Sequence, residues 1–238
     1  MGDPVSSTIE VERKYDVDPG LALPDLADVD GVSSVRSDEP ARLEATYYDT
    51  DDLRLRGARI TLRHRTGGHD SGWHLKLPSG RDREEIHVEG PGDTVPEVLS
   101  GLVRGWSRGA ELRPAARLST VRRVQMLLDE GGAPLVEVAD DDVTACRLID
   151  GHELRWREWE AELVGGPRPL LDGVQARLLA AGAAPSSSAS KVGRVLTLPD
   201  AAGSVVPWWA QSGGRRPGDS AATVVHAHLA EQVARRPD

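Results

Sequence analysis

Alternation of charged and apolar residues is the main pattern in the first two thirds of the chain. Between Ile9 and Tyr15, the charged residues Glu10, Glu12 and Lys14 fall on every second position. Successive side chains of an extended strand point to opposite faces, so these three would share one face of a strand. Alone, the segment fits an ordinary strand with one face in solvent.

The alternation recurs in segments separated by turn residues. Gly67-Gly68, Pro78-Ser79-Gly80, Asp129-Glu130-Gly131-Gly132 and Asp150-Gly151 are turn signals that link neighbouring strands as antiparallel hairpins. With the first strand, the pattern predicts strands at 42–50, 58–66, 72–78, 81–89, 117–129, 135–146 and 153–164. Eight strands can close on themselves and leave no free edge. We therefore predict an α+β fold, an eight-stranded antiparallel β-barrel or tunnel with flanking helices.

Helical spacing of apolar residues indicates the flanking helices and a change of organisation near the end. Helices are predicted at 93–105, 170–181 and 191–196. Residues 199–219 are rich in Pro, Gly and small residues, which is typical of a linker. The predicted domains are 1–198 as the tunnel domain, 199–219 as the linker and 220–238 as the helical stump of a second domain.

Composition narrows the class of protein. The 238 residues carry a formal net charge of −9, which argues against non-specific binding of nucleic acid over the general surface. The single cysteine, Cys146, excludes an intrachain disulfide. No signal peptide and no apolar run long enough for a membrane span is evident. We expect a cytoplasmic protein with no nucleic-acid or membrane partner.

Charges of both signs recur on the strand faces. Three carboxylates share one face in Glu158-Trp159-Glu160-Ala161-Glu162, and like charges so close are unfavourable unless a cation neutralises them. Arginines and lysines on facing strands likewise repel unless an anion lies between them. A metal-bound polyphosphate would satisfy both sets. The alternative is an interior filled by Arg–Glu salt bridges, which is a poor way to stabilise a core.

Several of these segments resemble, in order, the motifs of the CYTH superfamily, the triphosphate tunnel metalloenzymes. The first is Glu10-x-Glu12-x-Lys14, and the resemblance covers about residues 7–198. The others are Tyr47-Tyr48-Asp49-Thr50, Leu62-Arg63-His64-Arg65, Leu75-Lys76-Leu77 followed by Arg83-Glu84-Glu85, Glu137-x-x-x-Asp141, Glu160-Ala161-Glu162-Leu163 and Ser190-Lys191-x-x-Arg194. The resemblance implies an eight-stranded antiparallel tunnel, in agreement with the strand count.

The resemblance also implies roles for the charged residues. One or two Mg²⁺ or Mn²⁺ ions would be held by Glu10, Glu12, Asp141, Glu160 and Glu162. The phosphate chain would be bound by Arg63, Arg65, Lys76, Arg83, Arg117, Arg122 and Lys191. Glu12 and Lys14 are the candidate catalytic residues, and Lys14 would either contact phosphate or help to poise the nucleophile.

Some of these assignments stay open. Strand register decides whether Arg122 or Arg123 points inward, and the resemblance favours Arg122. Each of Glu85, Glu158, Arg83 and Arg117 is also compatible with a salt bridge in the tunnel wall.

The predicted activity is metal-dependent hydrolysis of inorganic triphosphate or another triphosphate. The alternative is a non-catalytic module that binds polyphosphate. The segment Val224-Val225-His226-Ala227-His228-Leu229 is compatible with the start of a CHAD domain, which some bacterial members carry after the tunnel domain, and equally with a terminal helix of no special role.

Overall fold

A computed structural model describes residues 5–197, which form eleven strands and five helices. The strands are β1 (Val5–Glu10), β2 (Glu12–Val17), β3 (Ser34–Ser37), β4 (Ala41–Asp49), β5 (Thr61–Thr66), β6 (Gly72–Ser79), β7 (Asp82–Val88), β8 (Arg113–Leu128), β9 (Pro134–Arg147), β10 (His152–Leu163) and β11 (Ala184–Pro185). The helices are α1 (Arg54–Gly57), α2 (Glu97–Leu102), α3 (Arg104–Ser107), α4 (Leu170–Ala180) and α5 (Lys191–Val195). The predicted linker 199–219 and the segment 220–238 lie outside the described residues.

All strands belong to one antiparallel sheet, which confirms the predicted architecture. The order is β1-β7-β6-β5-β4-β8-β9-β10-β2-β11, and β3 pairs with β8. The predicted eight-stranded closed barrel is wrong in detail, because the sheet has eleven strands and its hydrogen-bonded ladder does not close.

The difference in strand number has a local origin. β1 and β2 are separated only by Val11, yet β1 pairs with β7 and β2 pairs with β10. The two ends of the sheet are therefore connected covalently through Val11, and not by hydrogen bonds between strands. With β1 and β2 counted together, and with the short β3 and β11 set aside, eight strands remain. The sequence did not predict these differences for two reasons. The alternation of charged and apolar residues continues through Val11, and β3 and β11, with four and two residues, are too short to show a period.

Helices cover the outer face of the sheet in two apolar layers. Trp73, Leu75 and Ile86 of β6 and β7 pack with Leu99 of α2 and Val103. A second cluster brings strands β2, β9 and β10 against α4, through Tyr15, Val138, Trp159, Val174 and Leu178. The opposite sides of these strands carry the charged residues, and we call that side the inner face.

Helix α5 lies on the inner face at one end. Val192 and Val195 pack there with Leu118 of β8 and Val143 of β9. The Ser190 side chain caps the helix by accepting a hydrogen bond from the Gly193 N–H at 3.0 Å. This apolar end fixes Lys191, the first residue of the helix, beside the charged part of the face. No helix among residues 5–197 is long and apolar enough to cross a membrane.

Candidate functional site

The inner face brings together most of the side chains predicted from the sequence. Glu160 of β10 is the centre of one cluster. Its carboxylate accepts hydrogen bonds from Arg122 Nη2 and Lys191 Nζ, each at 2.7 Å, and also from Lys14. Lys14 donates in addition to Glu12 Oε2 at 2.7 Å. Three elements, β2, β8 and α5, thus place three predicted residues around the carboxylate of Glu160 on β10.

Lys191 lies among a second group of carboxylates. Its ammonium nitrogen lies 2.8 Å from Asp141 and 2.7 Å from both Glu158 and Glu160. Carboxylate oxygens of these three residues lie within 4.8 Å of one another, a spacing compatible with a metal ion. Glu158 was missing from the predicted metal ligands, although its place two residues before Glu160 on one strand face was a signal for it.

Mutual attraction fixes the charge states in this cluster. Burial opposes the charge on Lys14, but Glu160 and Glu12 outweigh burial and raise the pKa of Lys14. Burial likewise opposes the charge on Glu160, while Lys14, Lys191 and Arg122 hold the pKa of that carboxyl well below its usual value. Both groups are therefore charged at neutral pH.

Lys76 of β6 is the centre of a neighbouring cluster. It donates a hydrogen bond to Glu10 at 2.7 Å and lies 3.7 Å from Glu85. Glu85 also lies 3.9 Å from Arg63 and 2.9 Å from His74. Burial raises the pKa of Glu10 to about 7, although Lys76 opposes the shift. Glu10 is thus the carboxylate of this cluster whose negative charge is least stabilised.

A row of three carboxylates crosses β2, β10 and β9. Glu162 is the register partner of Glu12 on one side and of Glu137 on the other. No ion pair to Glu162 occurs among residues 5–197, and burial together with Glu12, Glu137 and Glu160 raises its pKa against the effect of Lys76. Like charges directly opposite each other on neighbouring strands are destabilising. A cation bound at this row would therefore relieve the most repulsion.

Arg63 and Arg65 of β5 are two neighbouring cationic side chains on the inner face. Both have a buried Nε that lacks a hydrogen-bond partner among the described residues. Arg63 donates to the Tyr47 hydroxyl at 3.3 Å, and Arg65 pairs with Asp70 in the loop before β6. Burial, Arg63 and Arg122 together lower the pKa of Arg65 to about 9. Sequence reasoning missed Tyr47 as a site residue, although it stands in one of the quoted motifs.

The remaining arginines considered from the sequence lie in different positions relative to the inner face. Arg122 points to the inner face, whereas Arg123 is half exposed on the outer face and pairs with Asp142 at 2.9 Å. Arg83 is half-buried and donates to the Arg59 carbonyl at 2.8 Å, near Glu12 and Glu10. Arg117 is not brought into the site.

The exposed position of Arg117 follows from strand geometry. Its neighbours Ala116 and Leu118 are buried in the cluster beneath α5, so Arg117 points to the outer face. Arg117 and Arg122 are an odd number of positions apart on one strand, and a regular strand places such residues on opposite faces. The strand pattern could have excluded one of them.

Fold and site together define an antiparallel β-protein with an ion-paired inner face that mixes carboxylates with arginines and lysines. The sequence profile of the CYTH domain matches residues 8–177. The chain therefore belongs to the CYTH domain family, and the resemblance stated from the motifs is confirmed.

The chain is also similar to individual proteins. Two uncharacterized proteins of Mycobacterium tuberculosis, from strains CDC 1551 and H37Rv, are each 40% identical to the chain over 242 residues. The match covers 94% of the chain but 45% of each relative, so the chain spans about half the length of these curated relatives. A crystal structure of a "putative adenylate cyclase" from Bacillus halodurans aligns with a TM-score of 0.55 and 19% identity, covering 80% of this chain and 99% of that one. This last likeness shows a shared fold.

Proposed function

We propose that the chain is a divalent-metal-dependent triphosphatase that hydrolyses inorganic triphosphate on its inner face. The observation that carries the proposal is an excess of each sign of charge on the same inner face. Arg63 and Arg65 lack enough acidic partners, whereas Glu162 lies between two further carboxylates without an ion pair among the described residues. A polyanion and a cation that bind together would relieve both.

The carboxylates fit a hard divalent cation. Mg²⁺ and Mn²⁺ prefer oxygen ligands, and the chain offers them on adjacent strands. We assign the metal to Glu10, Glu12, Glu160 and Glu162, with Asp141 at the edge of this set. Lys191 pairs with both Asp141 and Glu160, so these two carboxylates would share their charge between the lysine and a bound ion. When bound, such an ion neutralises phosphate oxygens and lowers the pKa of a coordinated water.

The cationic residues would bind and align the phosphate chain. Arg63 and Arg65 have planar guanidinium groups that make forked contacts with phosphate oxygens. Lys76, Arg122 and Lys191 are held by carboxylates, so their charge stays at the site and can be shared with an arriving anion. Phosphoryl transfer depends mainly on alignment and charge neutralisation, which these residues supply.

Lys14 acts as a fixed positive charge in this proposal. The raised pKa keeps its ammonium group protonated, so it does not serve as a base. By donating to both Glu12 and Glu160, it holds the two carboxylates on adjacent strands at fixed positions. Of the two roles considered from the sequence, contact with phosphate or poising of the nucleophile, the protonated state of Lys14 supports contact with phosphate.

Among residues 5–197, Trp73, Trp156 and Trp159 offer no open ring to stack on a ligand, which favours inorganic triphosphate over a thiamine or adenine compound. Trp73 and Trp159 are fully buried in the outer layers. Trp156 lies under the Arg194 guanidinium, 5.3 Å from ring centroid to Cζ. These three rings are therefore committed to contacts within the protein.

Phosphate release from triphosphate, thiamine triphosphate, ATP and long-chain polyphosphate, each with Mg²⁺ and with Mn²⁺, tests the proposal. We expect release from inorganic triphosphate to be fastest. Glu12→Gln should abolish release without unfolding the protein, whereas Glu153→Gln, on an exposed part of β10, should have no effect. Undiminished release by Glu12→Gln would refute the metal role. Tight binding of polyphosphate without release from any substrate would identify a binding module instead.

A further inference from the structure

His74 on β6 is buried next to the arginines of the inner face. It is 1% exposed, and its register partners are Arg63 on β5 and His87 on β7. Ring nitrogen Nδ1 lies 2.9 Å from Glu85 Oε1, and Nε2 lies 2.8 Å from the Asp70 carbonyl oxygen. Both ring nitrogens therefore face a hydrogen-bond acceptor.

This geometry fits the imidazolium form. A neutral imidazole carries one N–H, so it can donate to Glu85 or to Asp70, and its other nitrogen then faces an oxygen without a hydrogen between them. The protonated ring donates to both oxygens. The two acceptors that face His74 are thus both hydrogen-bonded only when the ring is protonated and positively charged.

The surrounding charges oppose that protonation. Burial has the largest effect, and with Arg63 and Arg65 on β5 it lowers the pKa of His74 to about 4, against the hydrogen bond and charge of Glu85 on β7. The other ionisable groups nearby are Lys76 on the same strand, the ring of His87, whose centroid lies 4.7 Å away, and the Asp70 carboxylate, which is engaged by Arg65. In the free protein His74 is therefore neutral at physiological pH.

A bound polyanion would reverse this balance, because it neutralises Arg63 and Arg65. Resting on the proposed function, we propose that binding of a triphosphate to the inner face draws one proton from solvent onto the ring of His74. The proton adds to the ring nitrogen that lacked one, no other bond changes, and the imidazolium then donates to both Glu85 and Asp70. His74 thereby becomes a further positive charge behind the phosphate-binding arginines.

The linkage between proton uptake by His74 and anion binding has a measurable size. Proton uptake and anion binding strengthen each other equally, since linkage between two binding events is reciprocal. Between the proton affinities of the free and the bound state, each unit of falling pH should tighten anion binding by up to about tenfold for one linked proton. Without His74 this part of the pH dependence should vanish.

Calorimetry with inorganic tripolyphosphate and the metal-free 238-residue chain measures the linked proton directly. Titrations at about pH 6 in buffers of different ionisation enthalpy give the number of protons taken up. Wild type should take up as much as about one proton more than His74→Gln, whose amide donates without titrating. His87→Gln, on the same face of the adjacent strand, is the matched control and should behave like wild type.

The outcomes separate this inference from the proposed function. Binding with equal proton uptake in wild type and His74→Gln would overturn the inference and leave the proposed function standing. Loss of uptake in His87→Gln instead would also overturn it. Absence of any tripolyphosphate binding by the metal-free protein would overturn the inference, while phosphate release in the presence of Mg²⁺ or Mn²⁺ tests the proposed function separately. If His74→Gln does not fold, the ¹⁵N shifts of the His74 ring in wild type serve instead. They should change from the neutral to the doubly protonated pattern when tripolyphosphate is added, and an unchanged neutral pattern in the saturated protein refutes the inference.

Discussion

Arg122 on β8 and Asp141 on β9 are register partners joined by two parallel hydrogen bonds. Arg122 Nε and Nη2 donate to the two carboxylate oxygens at 2.8 and 2.7 Å. Asp141 is completely buried, and burial opposes its charge, but Lys191 and Arg122 lower its pKa. The pair settles the orientation left open by the sequence, since it turns Arg122 inward and Arg123 outward.

Loss of the Asp141 charge should destabilise the protein strongly. Asp141→Asn leaves Arg122 and Lys191 buried with one carboxylate fewer, and breaking a buried pair in this way costs about 3–5 kcal/mol. Asp142→Asn is the matched control, because Asp142 is the next residue on β9 and pairs with the half-exposed Arg123. It should change the free energy of unfolding by less than about 1 kcal/mol. Urea unfolding without metal measures both, and equal effects would contradict the assigned role of the buried pair.

Glu162→Gln should have opposite effects with and without metal. In metal-free protein it removes repulsion with Glu12 and Glu137, so the melting temperature should rise. The increase in melting temperature that Mg²⁺ or Mn²⁺ gives to wild type should be reduced or lost, because a ligand is missing. Thermal melts over a metal titration test both parts. A full metal-induced shift in Glu162→Gln would exclude this carboxylate from the metal site.

Asp70→Asn should strengthen the binding of tripolyphosphate. The Asp70 carboxylate pairs with Arg65 and so competes with an incoming phosphate for that guanidinium. The substitution removes the competing charge but keeps the backbone carbonyl that faces His74. We expect an affinity several-fold higher by calorimetry, since a freed arginine makes strong contacts with phosphate. Asp82→Asn, which breaks the surface pair with Arg168, is the control and should leave affinity unchanged. Weaker binding in Asp70→Asn would show that the loop carboxylate does not compete.

Stability should fall in acid partly through Asp16. Burial raises the pKa of Asp16, but hydrogen bonds from Arg194, Ser186 and the Ser187 backbone outweigh burial and lower it. A carboxyl with a depressed pKa stabilises the fold above its unfolded value, about 3.9, and this stabilisation is lost as pH falls through the folded value. The stability difference between wild type and Asp16→Asn should therefore shrink as the pH is lowered from 6 to about 3. Urea unfolding across this range measures it, and a difference independent of pH would contradict the role of Asp16.

Strand periodicity predicted much of the site because one rule decides which residues share a face. Glu12 and Lys14 on β2, and Glu160 and Glu162 on β10, lie together for this reason. The same rule, applied to Arg117 and Arg122, would have argued against the joint assignment that the resemblance favoured, but it was not applied to this pair. Periodicity did not show that β1 ends at Glu10, because a break at Val11 changes strand partners and leaves the alternation intact.

Site residues that lie outside the strands, or whose partners do, were harder to predict from the sequence. Lys191 begins a short helix, so strand periodicity carries no information about its neighbours, and only the motif indicated that it joins the site. Its contacts with Asp141, Glu158 and Glu160 depend on how α5 packs under β8 and β9. From the sequence, Glu158 was compatible with a salt bridge in the tunnel wall and was not among the predicted metal ligands. Its neutralisation by Lys191 could be seen only in three dimensions.

Because α5 supplies Lys191 to the inner face, the ion pairs of this lysine can form only after α5 has been synthesised. Lys191 reaches carboxylates encoded 31 to 50 residues earlier, while Glu12 meets Glu162 across 150 positions. Contacts so distant in sequence slow folding, since long loops must close before they form. A nascent chain that still lacks α5 would leave Asp141, Glu158 and Glu160 without the lysine, so a chain stalled on the ribosome before this point should be unable to adopt the mature ion-pair arrangement.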